Sequence, residues 1–129
     1  MDRQSIAVDV DGVIHSYRTK WEAAHILPDE PVAGAINWLL ELSSIYDIAI
    51  NSTRCNSWRG RRGVKKWLQK HVPEHLWKDF EKKLSFHGKP QALVYVDDRA
   101  WRFDGTRLPS LGELSRARPW WKFRPIVSN

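Results

Sequence analysis

Three short apolar runs along the chain each break off into polar residues. Ile6-Ala7-Val8 leads into Asp9-Val10-Asp11-Gly12. Ile48-Ala49-Ile50 leads into Asn51-Ser52-Thr53-Arg54, and Leu93-Val94-Tyr95-Val96 leads into Asp97-Asp98. Near-continuous apolar runs of this length read as strands buried on both faces, the pattern of a parallel sheet. The first strand is placed at residues 4–10, the second at 46–51 and the last at 93–96, with a short one at 84–86. Between them the period lengthens. Pro31, after Asp29-Glu30, opens a helix that Ala35, Ile36, Leu39, Leu40 and Leu42 carry to about residue 44. Val64, Trp67 and Leu68 recur at helical spacing over 61–71, and Pro73-Glu74 opens a further short helix through Leu76, Trp77 and Phe80. Residues 101–103 read as an edge strand and 111–114 as one or two helical turns.

Strands alternating with helices give an α/β fold, a three-layer Rossmann-like parallel sheet flanked by helices. With 129 residues the chain has room for one domain, 1–129, and not for two. Residues 13–30 are irregular and are expected to form a flap over the carboxyl end of the first strand. Residues 54–83 form a basic helical segment, and 109–129 a tail broken by Pro119 and Pro125.

In a parallel sheet the carboxyl ends of the strands share one edge, where ligands of open α/β sheets bind. Asp9 and Asp11, two apart on a strand, point to the same side. That edge then gathers Asp9, Asp11, Asp97 and Asp98 with Ser52 and Thr53. Four carboxylates in one place do not all ionise without a cation. All-oxygen ligation suits Mg²⁺, which prefers phosphate oxygens as its further partners. Ser52 or Thr53 supplies a hydroxyl and Lys89 a compact positive charge, both suited to phosphoryl oxygens.

Charge sharpens this picture. The formal net charge is +6, but residues 1–50 carry three Lys/Arg against eight Asp/Glu, and 51–129 carry eighteen against seven. The stretch 54–70 holds seven basic residues and no acidic one. It either binds a polyanion such as nucleic acid, with Trp58 stacking on a base, or is an ordinary solvated face. No 18-residue apolar run is present, so no membrane partner is expected. The single cysteine, Cys55, excludes an internal disulfide framework. With no signal peptide visible at the start, it fits a reducing cytoplasm. Cys55 reads as a structural thiol. Trp120 and Trp121 read as packing or homodimer contacts, and His15 and His25 as exposed flap residues or substrate contacts.

The elements Asp9-Val10-Asp11-Gly12, Ser52, Lys89 and Asp97-Asp98 stand in the order and at the strand ends of four motifs. In this the chain resembles the haloacid dehalogenase superfamily of phosphohydrolases, over about residues 4–100. Val96-Asp97-Asp98-Arg99 is also similar to the last motif of polynucleotide 3′-phosphatases. The resemblance implies a haloacid-dehalogenase-like fold and a Mg²⁺-dependent phosphatase working through an aspartyl-phosphate. Asp9 would be the nucleophile, and Asp11 the acid and then the base. Mg²⁺ would sit on Asp9, the Asp11 backbone carbonyl and the Asp97/Asp98 pair. Asp98 would be the direct ligand, with Asp97 holding Lys89 or a metal-bound water. Ser52, with Thr53 as the lesser candidate, and Lys89 would hold phosphoryl oxygens, and Gly12 would let the backbone approach them closely. Gaps of this length leave no place for a large cap domain. An open site favours a large phosphorylated substrate such as a nucleic-acid 3′ end. A sugar phosphate or other small metabolite, or a non-catalytic nucleic-acid or protein-binding module on the same scaffold, are the alternatives.

Overall fold

The computed structural model describes residues 3–87 and 90–123. Its strands are β1 (Ser5–Val8), β2 (Asp47–Asn51), β3 (Leu84–His87) and β4 (Val94–Val96). They form one sheet in the order β3-β2-β1-β4, and all three pairings are parallel. The helices are α1 (Ala35–Ser43), α2 (Trp58–His71), α3 (Glu74–Glu81) and α4 (Leu111–Arg116). The α/β class and the parallel sheet flanked by helices are therefore as the sequence pattern has them.

Burial explains why the runs pair. Ile6, Val8 and Val10 lie on one side of β1 and its extension, 6%, 0% and 0% exposed, while Ala7 is buried on the other. Beside them Ile48, Ala49 and Ile50 are buried with Leu39, Val64, Leu68 and Phe80 in a single core. Burying such side chains contributes roughly 1.5–3 kcal/mol each. β4 differs. Val94 is 51% and Tyr95 39% exposed, so this strand is a half-open edge rather than a core strand.

Two boundaries move and one expected strand does not form, each for a local reason. The helix expected from Pro31 starts at Ala35, because the chain around Pro31 pairs with the flap instead. Val32 N–H donates to Ile14 O at 2.8 Å, and Ser16 N–H to Glu30 O at 3.0 Å. The helix expected from residue 61 starts at Trp58, where Ser57 Oγ caps it by accepting from Gly60 N–H at 3.0 Å. Residues 101–103 are not a strand but irregular chain, with Trp101 and Phe103 exposed. Three apolar-looking residues do not make a strand without a neighbour to pair with.

No helix among the described residues is long and apolar enough to cross a membrane.

Candidate functional site

Register places the site. Val8 pairs with Ile50 on one side and Val96 on the other. One residue further, Asp9, Asn51 and Asp97 stand side by side at the carboxyl edge, and Asp9 N–H donates to Val96 O at 3.0 Å. A cavity of about 490 Å³ opens there, lined by Asp9, Asp11, Asn51, Ser52, Thr53 and Asp97 from the strand ends. Tyr17 and Trp21 of the flap, Asn56, Arg99 and Trp121 complete it. Of the basic helical segment 54–83, only Asn56 reaches this lining.

Asp9, Asp97 and Asp98 each bring a carboxylate oxygen within 4.8 Å of the others. Burial, together with the Asp97 and Asp98 carboxylates, pushes the Asp9 carboxyl up to about 8, against the opposing Val10 N–H bond at 2.8 Å. Without a cation the cluster therefore keeps a proton. Among the described residues Asp98 Oδ1 is buried and has no hydrogen-bond partner other than the proton that Asp9 would carry. Its other oxygen, Oδ2, accepts from Trp121 Nε1–H at 2.7 Å. An orphaned buried oxygen beside two further carboxylates is a donor set that fits a hard divalent cation. Asp97 Oδ1 accepts from Arg99 N–H at 2.7 Å, which fixes that side chain at the turn.

Asp11 belongs to a different network. Its Oδ1 lies 2.8 Å from His15 Nδ1 and its Oδ2 accepts from Arg54 Nε at 2.8 Å. His15 Nε2 accepts from Asp29 N–H at 3.1 Å. That bond assigns the proton to Nδ1 and makes His15 a neutral donor to Asp11. Burial alone would raise the Asp11 carboxyl, but the His15 and Arg54 bonds outweigh it and hold it below the usual carboxylate range. Arg54 is 1% exposed. Its Nη1 donates at 3.0 Å to the carbonyls of Ala23, Ala24 and Ile26, and its guanidinium stacks on Trp21 at 4.2 Å. Trp67 Nε1–H adds a bond to Asp29 O at 3.0 Å. The flap is thus tied down from β1, from the turn after β2 and from α2.

Ser52 is buried at the pocket wall, and its Oγ accepts from Arg54 N–H at 3.2 Å while capping the short 3₁₀ turn Thr53–Asn56. Among the described residues nothing accepts the hydroxyl proton. Thr53 is exposed on the same lining. Lys89 lies outside the described residues.

Two expectations need correction, those for His15 and Arg54. His15 is neither exposed nor a substrate contact; it is fully buried against Asp11 and Trp67. Arg54 does not belong to a solvated basic face. Gly12 is held at φ +82 against the chain's own side chains: a Cβ there would lie 2.2 Å from Asp98 Oδ2 and 2.8 Å from Trp121. Trp120 and Trp121 make packing contacts within the chain, one of the two readings given to them, with Trp120 Nε1–H donating to Gly12 O at 2.6 Å. Two of these contacts had a signal in the sequence. Asp11 and His15 are four apart, and Arg54 directly follows the Ser52-Thr53 pair. The long-range return of Trp121 to Asp98 had none. Cys55 is buried, and burial pushes its thiol up to about 11, so it is a packing thiol.

No protein-family model, no curated protein and no solved structure matches this chain.

Proposed function

We propose that the protein is a phosphomonoesterase that uses Asp9 as nucleophile, in the manner of the haloacid dehalogenase superfamily that its four motifs resemble. The observation that carries this reading is the cluster of Asp9, Asp97 and Asp98 within 4.8 Å, with a buried Asp98 oxygen that has no hydrogen-bond partner among the described residues, beside a pocket that Asp9 and Asp97 line. Asp9, Asp97 and Asp98 would hold a divalent cation, Mg²⁺ by the hardness of the donors. A cation held there would supply positive charge against the phosphoryl oxygens, and Asp9 would then need no proton.

The chain's own groups then divide the work. A carboxylate oxygen of Asp9 attacks phosphorus, the bond to the leaving oxygen breaks, and an aspartyl-phosphate forms. Asp11 gives a proton to the leaving oxygen only after one of its bonds to His15 or Arg54 opens and the freed oxygen takes up a proton from water. It then takes one from the water that attacks phosphorus and frees Asp9 and inorganic phosphate. Ser52 donates its hydroxyl proton to a phosphoryl oxygen, and Tyr17 and Trp21 wall the pocket against water.

Asp11 also favours a second reading. Both its oxygens already bond His15 and Arg54, and this holds it as an anion. A chain in which that clamp never releases a site for a proton would bind a cation and a phosphorylated ligand without turnover. One experiment separates the two. With Mg²⁺, p-nitrophenyl phosphate is hydrolysed by the intact chain and at least a hundredfold more slowly by Asp9→Asn. Equal rates for the two proteins, or none for either, overturn the enzymatic reading.

A further inference from the structure

A second concavity, of about 480 Å³, lies between the outer face of α2 and the edge strand β3. It is lined by Trp58, Arg61, Arg62, Lys65, Lys66, Gln69 and Phe86. Four of these seven residues are cationic and none is acidic. Among the described residues only Lys65 of the four has a carboxylate partner, Glu81 at 3.2 Å. Arg61 donates to a neutral carbonyl, Cys55 O, at 2.9 Å and keeps its charge.

Trp58 gives the groove its chemistry. It is 66% exposed, an unusual position for the largest apolar side chain. Arg62, one helical turn on, covers one face of the indole at 5.3 Å. The ring is thereby contacted by a cation at the helix start and stays 66% exposed. Cations that track a backbone beside an aromatic platform are the combination that binds single-stranded nucleic acid. A purely phosphorylated small ligand has no use for the indole, and an acidic peptide has no flat face to lay on it. From Trp58 to Gln69 the groove runs about 16 Å at 1.5 Å per residue. Its Trp58 end adjoins the carboxylate pocket, since Asn56 lines the one and Trp58 the other.

We infer that this groove binds single-stranded nucleic acid and leads a strand end over Ser57 toward the Asp9 pocket. The inference rests on the phosphomonoesterase reading only for what happens to that end; the binding stands apart from it. Three unpaired cations over one strand give a log–log salt slope of about −2.

The test is fluorescence anisotropy of a labelled twelve-nucleotide oligothymidylate without a terminal phosphate, over a salt series. Both the intact chain and Asp9→Asn are titrated. Both should bind, with that slope, and the duplex of equal length should bind more weakly. Trp58→Ala should weaken binding about tenfold, and Trp58→Phe should restore most of it, as stacking requires. Arg62→Gln with Lys66→Gln should flatten the salt slope by about 1.4. No binding, equal or tighter binding of duplex, or a silent Trp58→Ala overturns the inference. Hydrolysis of p-nitrophenyl phosphate without oligonucleotide binding removes the groove and leaves the phosphatase. Oligonucleotide binding by a chain that hydrolyses no ester removes the phosphatase and leaves the groove.

Discussion

Arg54, 1% exposed in the turn after β2, donates from Nε to Asp11 Oδ2 at 2.8 Å, and so ties two strand ends and the flap into one unit. The same guanidinium satisfies three flap carbonyls. Removing one member of a buried pair leaves the other charged and unpaired, which costs more than the pair itself contributes. Arg54→Ala should therefore destabilise the fold by about 3–5 kcal/mol. It should also loosen residues 18–26, read as faster proteolysis there. Arg54→Lys should recover little, because an ammonium cannot reproduce a fork that meets a carboxylate and three carbonyls together. Urea unfolding that moves by less than about 1 kcal/mol for Arg54→Ala would sink this account of the flap.

Asp9 makes stability fall with pH in the absence of a cation. Burial and its acidic neighbours push its carboxyl up to about 8 from an ordinary value of 3.8. Between those values the folded chain holds a proton that the unfolded chain has released, so stability declines as pH rises and levels off above about 8. His71, lowered by burial from 6.5, acts in the opposite sense but only below that value. Asp11, Asp29, Glu30, Asp104 and Glu113, all lowered, act below about 4.5, and Cys55, raised from 9.0 to about 11, acts from about 9 upward. Across pH 7–8 the Asp9 effect is therefore isolated. In EDTA the melting temperature should fall over that interval in the intact chain and stay level in Asp9→Asn. Mg²⁺ should raise the melting temperature most at the upper end, since there it competes with no proton. A flat profile in the intact EDTA-treated chain would contradict the cluster's geometry.

The strand ends were legible because they are local. A run such as Ile6-Ala7-Val8 can hardly be anything but a buried strand, and its parallel pairing brings Asp9 and Asp97 together without further information. What the sequence pattern does not carry is where long side chains go. Arg54 looked like the first residue of a basic surface, because charge alone does not distinguish a solvated arginine from one that meets Asp11 and three carbonyls. His15 looked like a loop histidine, although its spacing from Asp11 already allowed their bond. Trp120 and Trp121 lie more than a hundred residues from Gly12, and no period or propensity encodes that contact. The edge strand expected at 101–103 failed for the converse reason: local propensity was present, but no neighbouring strand met it.

Gly12 is required by its own neighbours. Its φ of +82 costs a non-glycine residue roughly 1–2 kcal/mol. A Cβ would also strike Asp98 Oδ2 at 2.2 Å and the Trp121 ring at 2.8 Å. Neither can retreat easily, because each holds the other through a 2.7 Å hydrogen bond. Gly12→Ala should lower the melting temperature and, by displacing Asp98, remove the upward shift that Mg²⁺ gives the intact chain. A variant that melts lower yet keeps the full Mg²⁺ shift would show that Asp98 is not needed to hold the cation.

Trp121 positions Asp98, and its role is separable from packing. The indole N–H binds Oδ2, which leaves Oδ1 as the buried, unpartnered oxygen beside Asp9. A donor in this place fixes which oxygen a cation meets and how the carboxylate is turned, and losing such a partner typically lowers metal affinity about 10- to 100-fold. Trp121→Phe keeps an aromatic ring against Tyr17, whose centroid is 5.1 Å away, but removes the N–H. The expected result is a melting temperature in EDTA close to that of the intact chain, with a Mg²⁺ dissociation constant at least tenfold higher by calorimetric titration. If the indole instead competes with the cation for Asp98, Trp121→Phe will bind Mg²⁺ more tightly. An unchanged constant would mean that Oδ2 takes no part in the site. Calorimetry gives these three outcomes without reference to turnover, so they bear on the cation site even if Asp9 proves to attack no phosphate.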